Sequence, residues 1–164
     1  MLEKPELQED RIISCLRERY GLRVCGVAFL PLGNDSTAWV YRVRTDEPGG
    51  RSYFLKVKRG RVYEPALFVP RYLKDQGIEQ VVAPLPTNVA GGDERALWAR
   101  VDDTEFALIL YPFVEGRTGM ESGMSDEQWV ELGQVLRRIH STRPPPPAPP
   151  PILGEGPFLR SPPL

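Results

Sequence analysis

The stretch Ser-Tyr-Phe-Leu-Lys-Val at residues 52–57 places one lysine, Lys56, inside an apolar segment typical of a β-strand. Because side chains alternate between the two faces of a strand, Lys56 should share a face with Phe54 and Lys58. Further along, the sequence Ala-Leu-Ile-Leu-Tyr-Pro-Phe-Val-Glu-Gly at residues 107–116 reads as a buried strand that continues into a hinge. The two stretches predict a sheet with a lysine on one face.

Five segments of the chain are predicted to be β-strands. They are residues 24–31, 37–44, 51–58, 95–101 and 105–113. The second and third strands are joined by Glu-Pro-Gly-Gly at residues 47–50, a strong turn signal. The connections leave little room for parallel crossovers, so the sheet is predicted to be antiparallel. With flanking helices, the fold class is α+β.

Two helices are predicted before the last strand. Apolar residues recur at helical spacing from Leu7 to Tyr20, and Gly21 provides a left-handed stop to this first helix. A short helix is predicted to end near residue 77. Pro65 and Pro70 cannot both occupy a first helical position, so this helix either kinks or begins at Pro70.

The last predicted helix begins with Ser-Asp-Glu-Gln at residues 125–128, a capping box with acidic residues in the first turn. Its apolar stripe consists of Trp129, Leu132, Leu136 and Ile139. His140, the only histidine of the chain, lies near the end of this helix beside two arginines. We interpret it as a partner of the helix dipole rather than as a catalyst.

Composition restricts the class of protein. At 164 residues, with 41% hydrophobic and 26% charged residues, the chain suits one globular domain of ordinary size with some extra length. A net charge of -1 provides no basic excess for nucleic acid, so none is predicted as a partner. Cys15 and Cys25 are predicted to be reduced thiols of a cytoplasmic protein. The sequence predicts no signal peptide, membrane span or membrane partner.

Composition changes sharply at Thr142. Ten of the eighteen prolines lie between Pro144 and Pro163. Proline fixes φ and lacks a backbone N–H, so this region is predicted to be disordered or to form polyproline II. We therefore predict one folded domain, residues 1–142, and a proline-rich disordered tail, residues 143–164.

The loop between the first two strands, Gly-Asn-Asp-Ser-Thr at residues 33–37, is a candidate phosphate-binding loop. Such a loop needs a flexible residue and N–H or hydroxyl donors, which Gly33, Asn34, Ser36 and Thr37 offer. Asp35 would repel phosphate if it pointed inward. A loop with one glycine is also typical of a simple hairpin, so the motif is not specific by itself.

Lys56 is a sharper candidate for a binding residue. A lysine on a strand is usually a solvated edge residue. In a site for a nucleoside triphosphate, it would instead bind the α- and β-phosphates and be oriented by a carboxylate. Glu64 is the only acid between Lys56 and Asp75. It is the best candidate for that partner, although it lies before a helix.

The hinge at residues 111–113 is a candidate adenine contact. Pro112 interrupts strand pairing, which would leave the carbonyl of Tyr111 and the backbone of Phe113 available to a base. The same sequence is also consistent with a core strand that ends in a turn.

The order of these segments resembles the aminoglycoside phosphotransferase family, and most closely its spectinomycin phosphotransferase branch. The resemblance rests on the loop at 33–37, Lys56, the sequence Leu-Tyr-Pro-Phe-Val-Glu-Gly at 110–116 and the helix at 128–141. It covers about residues 20–142 and implies a protein-kinase-like fold, of which this region forms the small N-terminal lobe and the first helix after the hinge. It further implies that Lys56 contacts the phosphates of ATP.

The chain departs from this family in its last part. The family carries a His-x-Asp-x-x-x-x-Asn catalytic loop and a later metal-binding aspartate, whereas residues 127–164 contain no aspartate and no asparagine. We therefore predict no catalytic residue and no metal ligand in this chain. Mg²⁺ and a small-molecule acceptor are expected only with a complete second lobe.

The predicted function is that of an ATP-binding lobe of a small-molecule kinase that is inactive alone. The abrupt change at Arg143 favours a truncated or frameshifted product as its origin. The apolar stripe of the last helix would then be exposed and would favour self-association. The alternative is a non-catalytic interaction protein whose prolines at 144–151 bind aromatic grooves of a partner.

Overall fold

The computed structural model describes residues 3–33, 35–46, 49–88 and 96–143. Its elements in chain order are α1 (Glu9–Tyr20), β1 (Val24–Leu30), β2 (Ala38–Thr45), β3 (Ser52–Arg59), α2 (Pro65–Asp75), β4 (Ala99–Arg100), β5 (Phe106–Pro112), α3 (Gly119–Ser122) and α4 (Asp126–Ser141). The described strands form one antiparallel sheet in the order β1-β2-β3-β5-β4. This confirms the predicted α+β class and the five-stranded antiparallel sheet.

The core lies between α1 and one face of the sheet. Ile12 and Leu16 of α1 are fully buried and belong to the same cluster as Leu55 and Leu108. The Tyr20 hydroxyl donates a hydrogen bond of 3.1 Å to a backbone carbonyl of β5. Burial of apolar surface from both elements therefore fixes α1 on this face.

The C-terminal end of α1 agrees with the sequence prediction. Gly21 has a φ of 68° and donates its N–H to the carbonyl of Arg17. Only glycine adopts this left-handed conformation without strain, so the helix stops there.

Helix α2 differs from one of the two predicted arrangements. It begins at Pro65 and runs through Pro70, so the prediction that it begins at Pro70 is wrong. Pro70 removes only the N–H that would bond to Ala66, in the first turn, and the helix tolerates that loss because Leu67 and Leu73 are buried.

Strand β4 is shorter than predicted, with only Ala99–Arg100 in the sheet. Residue 95 of the predicted strand lies outside the described residues. On the other side, the N–H of Val101 bonds to the carbonyl of Phe106, and Asp103 has a φ of 54°. This tight turn begins immediately after Arg100 and ends the strand.

Helix α4 begins with the predicted capping box. The Ser125 hydroxyl accepts a hydrogen bond of 3.3 Å from the N–H of Gln128, whose side chain accepts one of 2.9 Å from the N–H of Ser125. Helix α3 was not predicted. It has a capping box of its own between Thr118 and Glu121. The sequence did not indicate a helix there because Gly119 begins it and Gly123 follows it.

Residues 144–164 lie outside the described residues, so the predicted proline-rich tail and the boundary at 142 stay predictions. Both cysteines are free thiols, with Cys15 buried and Cys25 exposed. Across the described ranges, no helix has both the length and the apolar character that a membrane crossing requires.

Candidate functional site

A cavity of about 510 Å³ lies against the face of the sheet opposite α1. Its lining is mostly apolar, and Lys56 is the one charged side chain among the described residues that form it. The lining residues are Leu30, Leu32, Phe54, Lys56, Val82, Tyr111, Pro112, Phe113 and Val114. A mostly apolar pocket with one fixed cation suits a ligand that joins a flat apolar ring to an anionic group.

Lys56 lies in the middle of the sheet, where it pairs with Val40 of β2 and Ile109 of β5. Its neighbours Leu55 and Val57 are fully buried on the α1 side. Strand alternation therefore directs Lys56 to the cavity, as predicted. Lys56 as a residue is half-buried, and among the described residues its ammonium has no hydrogen-bond or ion-pair partner.

Glu64 is not joined to Lys56 in the structure. It occupies the residue before the first turn of α2, and its side chain is exposed. The two residues, both of which the structure describes, form no ion pair. The reason is positional, since the only acid between Lys56 and Asp75 precedes α2 instead of lying on an inward face of it. The assignment of Glu64 to the site stays a prediction.

In the loop after β1, Gly33 adopts a backbone conformation that favours glycine, and the role of the loop in phosphate binding stays a prediction. Gly33 has a φ of 98°, and no atom lies within 4 Å of the place where a Cβ would stand. Ser36 and Thr37 are exposed, whereas Asn34 lies outside the described residues. Leu30 and Leu32 lead into this loop and line the cavity, so the loop begins at the cavity wall.

Asp35 is turned towards Lys58. Its carboxylate accepts hydrogen bonds from the N–H of Thr37 at 2.9 Å, from the hydroxyl of Thr37 at 2.6 Å and from the Lys58 ammonium at 3.0 Å. These bonds, those from Thr37 first and that from Lys58 next, hold the pKa of Asp35 well below its usual range. The Asp35 carboxylate, which could repel phosphate, is thus already bound by Thr37 and Lys58.

The hinge residues form the opposite wall of the cavity. Pairing of β5 with β3 ends at Pro112, which faces Tyr53, and this is the predicted break in the ladder. The Tyr111 ring meets the Phe54 ring edge to face, with centroids 6.3 Å apart. Phe113 follows the last residue of the strand.

Arg42 is a residue of this region that the sequence analysis missed. Its Nη2 donates to Oε1 of Glu115 at 2.6 Å, and its Nε donates to Oγ of Ser52 at 3.2 Å. Its guanidinium carbon lies 4.3 Å from the centroid of the Phe113 ring. The alternation of β2 contained the signal, because Arg42 pairs with Phe54 and shares the face of Lys56.

Comparison with known proteins identifies the fold and the family. Residues 28–162 match the model of the phosphotransferase enzyme family. The chain belongs to this family. The resemblance found in the sequence is thereby confirmed. The comparison with curated proteins gave no match.

A solved structure of this family is similar to the chain. It is the crystal structure of a spectinomycin phosphotransferase in complex with ADP and spectinomycin. The two are 31% identical and superpose with a TM-score of 0.73. The match covers 86% of this phosphotransferase-family chain and 40% of the other, so the chain spans less than half of that relative.

Proposed function

We propose that the chain is the nucleotide-binding part of a small-molecule kinase and that it binds ATP in the cavity between Lys56 and the hinge. The adenine would lie against Tyr111 and Phe113. The phosphates would meet Lys56 and the loop that contains Gly33, Asn34 and Ser36, whereas the N–H and the hydroxyl of Thr37 already donate to Asp35. Support comes from the family and from the solved relative, which holds ADP.

The single observation that carries the proposal is the position of Lys56. The residue is half-buried and lines a mostly apolar cavity, and its ammonium has no partner among the described residues. An isolated charge in such a place is unfavourable, and an anion that binds there forms a charge-assisted hydrogen bond. Lys58, on the same face, already binds Asp35. Among the described residues that line the cavity, Lys56 is therefore the cation available to a phosphate.

The phosphoryl-transfer step needs residues that this sequence does not contain. Residues 127–164 have no aspartate or asparagine to act as a base or as a ligand of Mg²⁺. Within the described residues, no group of three or more His, Cys, Asp or Glu side chains could hold a metal ion. We propose that the 164-residue chain binds nucleotide without transferring phosphate.

The acceptor is part of the same proposal. The relative binds spectinomycin, so we propose a hydroxyl of a small aminocyclitol as the acceptor once a second lobe is supplied. A fusion of residues 1–142 to the second lobe of that relative should phosphorylate spectinomycin, and Lys56→Ala should abolish this activity. Turnover by the unfused chain would contradict the proposal.

Two further predictions stand beside this one. Free thiols favour the cytoplasm, and the exposed face of α4 favours self-association. The alternative function, an interaction protein that uses prolines 144–151, gains no support because those residues lie outside the described ones.

Titration calorimetry of the purified chain tests the proposed site. The ligands are ATP, adenosine and inorganic tripolyphosphate. Lys56→Ala should weaken ATP and tripolyphosphate roughly 10- to 150-fold, or about 1.5–3 kcal/mol, through loss of one charge-assisted contact. Adenosine should bind as before.

The matched control is Lys74→Ala. Lys74 lies on α2 and pairs with Glu79, so its loss should leave all three ligands unaffected. A folded wild-type chain that binds none of the three would overturn the proposal. Equal weakening of ATP and adenosine by Lys56→Ala would show that this lysine acts through folding.

A further inference from the structure

Arg42 joins three segments that are distant from one another in the sequence. It lies on β2, it bonds to Ser52 at the start of β3, and it contacts Phe113 and Glu115 in the hinge after β5. In the sheet, β3 lies between β2 and β5, so the guanidinium reaches across a whole strand. One side chain thus connects the hinge to the middle of the sheet.

The chemistry of the guanidinium explains why this contact fixes an orientation. A planar guanidinium donates several hydrogen bonds in fixed directions and stacks on aromatic rings, which an ammonium does not do. The pair with Glu115 is partly solvated and contributes little by itself. Together with the Ser52 bond and the Phe113 ring, it defines both the place and the plane of the guanidinium.

The segment that follows β5, residues 113–117, has few other polar contacts to hold it. For the side chains of residues 113–117, the bond from Arg42 to Glu115 is the one hydrogen bond found within the described chain. Val114, Glu115 and Gly116 are exposed, and Gly116 has a φ of 144°. Phe113, by contrast, lines the cavity, and Arg42 does not.

We propose that Arg42 is a positioning residue that holds the Phe113 ring as a wall of the cavity and thereby sets the affinity for the base of the nucleotide. The inference rests on the proposed nucleotide site. Arg42 acts through Phe113 and Glu115 and touches no phosphate. Its effect belongs to the hinge end of the cavity, whereas the effect of Lys56 belongs to the other end.

This division predicts opposite ligand profiles for two variants. Arg42→Ala should weaken adenosine and ATP by the same factor, about three- to tenfold, because the hinge must then be ordered when the base binds. Tripolyphosphate should bind as it does to the wild type. Lys56→Ala should give the reverse pattern, with weaker tripolyphosphate and unchanged adenosine.

Two further variants separate the orientation of the guanidinium from its charge. Arg42→Lys keeps the positive charge but loses the stacked plane, so it should behave like Arg42→Ala. Glu115→Gln keeps an acceptor for Arg42. It should weaken adenosine and ATP by no more than about half as much as Arg42→Ala does. The wild type and the four variants are compared by calorimetry with the three ligands. Their melting temperatures show whether each protein is folded.

The outcomes distinguish the inference from the proposed function. If the wild type binds neither ATP nor adenosine, both the proposed function and the inference about Arg42 are overturned. Should the wild type bind adenosine and Arg42→Ala bind it equally well, only the inference is overturned. Full rescue by Arg42→Lys would also overturn it, as would equal weakening of tripolyphosphate and adenosine. If Arg42→Ala does not fold, Arg42→Lys takes its place, and adenosine binding equal to that of the wild type then overturns the inference.

Discussion

Helices α1 and α4 carry similar apolar stripes, but their surroundings differ. Ile12 and Leu16 of α1 are fully buried against the sheet. In α4, by contrast, Trp129 is 58% exposed and Leu136 is 44% exposed. Helical periodicity in a sequence therefore predicts that a helix forms and which face is apolar, and does not predict whether another part of the chain covers that face.

The two helices are also stabilised in different ways. Gln8, the residue before α1, makes no side-chain capping bond, and packing holds this helix in place. Helix α4 has a complete capping box at Ser125 and makes polar contacts with other parts of the described chain. One of these is a hydrogen bond of 2.8 Å from Arg138 to the carbonyl of Gly77. Tertiary burial holds the first helix, and local sequence holds the second.

The largest predicted effect is on the packed helix. Leu16→Ala should lower the free energy of unfolding by about 2–5 kcal/mol, because it leaves a cavity in the core. Leu136→Ala, the same change on α4, should lower it by less than about 0.5 kcal/mol. Urea unfolding measures both values. Similar losses for the two variants would show that the apolar face of α4 is covered in solution.

A second prediction concerns that apolar face. The chain should self-associate, and Trp129→Ser combined with Leu136→Ser should weaken the association at least about tenfold, since less apolar surface would be buried. Tyr63→Ser with Met120→Ser removes two exposed apolar side chains elsewhere and should leave association unchanged. Sedimentation equilibrium provides the measurement. A wild-type chain that stays monomeric at all concentrations would count against the prediction.

The smallest predicted effect concerns the starts of the helices. Ser125→Ala should destabilise α4 by about 1 kcal/mol, because the N–H of Gln128 loses its acceptor. Gln8→Ala should have no measurable effect on α1, since Gln8 makes no capping bond. Amide hydrogen exchange resolves the two helices. Equal changes in both would contradict the distinction between packing and local sequence.

Local signals in the sequence were sufficient for much of the fold. Gly21 predicted the end of α1, Ser125 the start of α4, and alternation the orientation of Lys56. Each of these depends on a few neighbouring residues. Where long-range packing decides, the sequence left alternatives open, as for the start of α2 near Pro70, or gave no prediction, as for Arg42, whose contacts require the register of three strands.

The candidate site shows the same limit. Lys56 was placed correctly because strand alternation fixes its side. Glu64 was paired with Lys56 because no other acid was available nearby in the sequence, and the structure leaves the two apart. The role of Lys58 was missed because its partner, Asp35, belongs to a different strand connection.

The ion pair of Asp35 with Lys58 has a consequence for discrimination among ligands. Among the described residues that line the cavity, it leaves Lys56 as the one charged side chain, so a small inorganic ion meets a single ammonium and gains nothing from the apolar walls. A ligand that joins a flat ring to its anionic group gains both the contact with the Lys56 ammonium and the contact with the apolar walls. Asp35→Asn would release a second ammonium, and the proposed site would then bind small anions more tightly and lose binding more steeply with added salt. By binding Lys58, the carboxylate of Asp35 would lower the affinity of the proposed site for small anions.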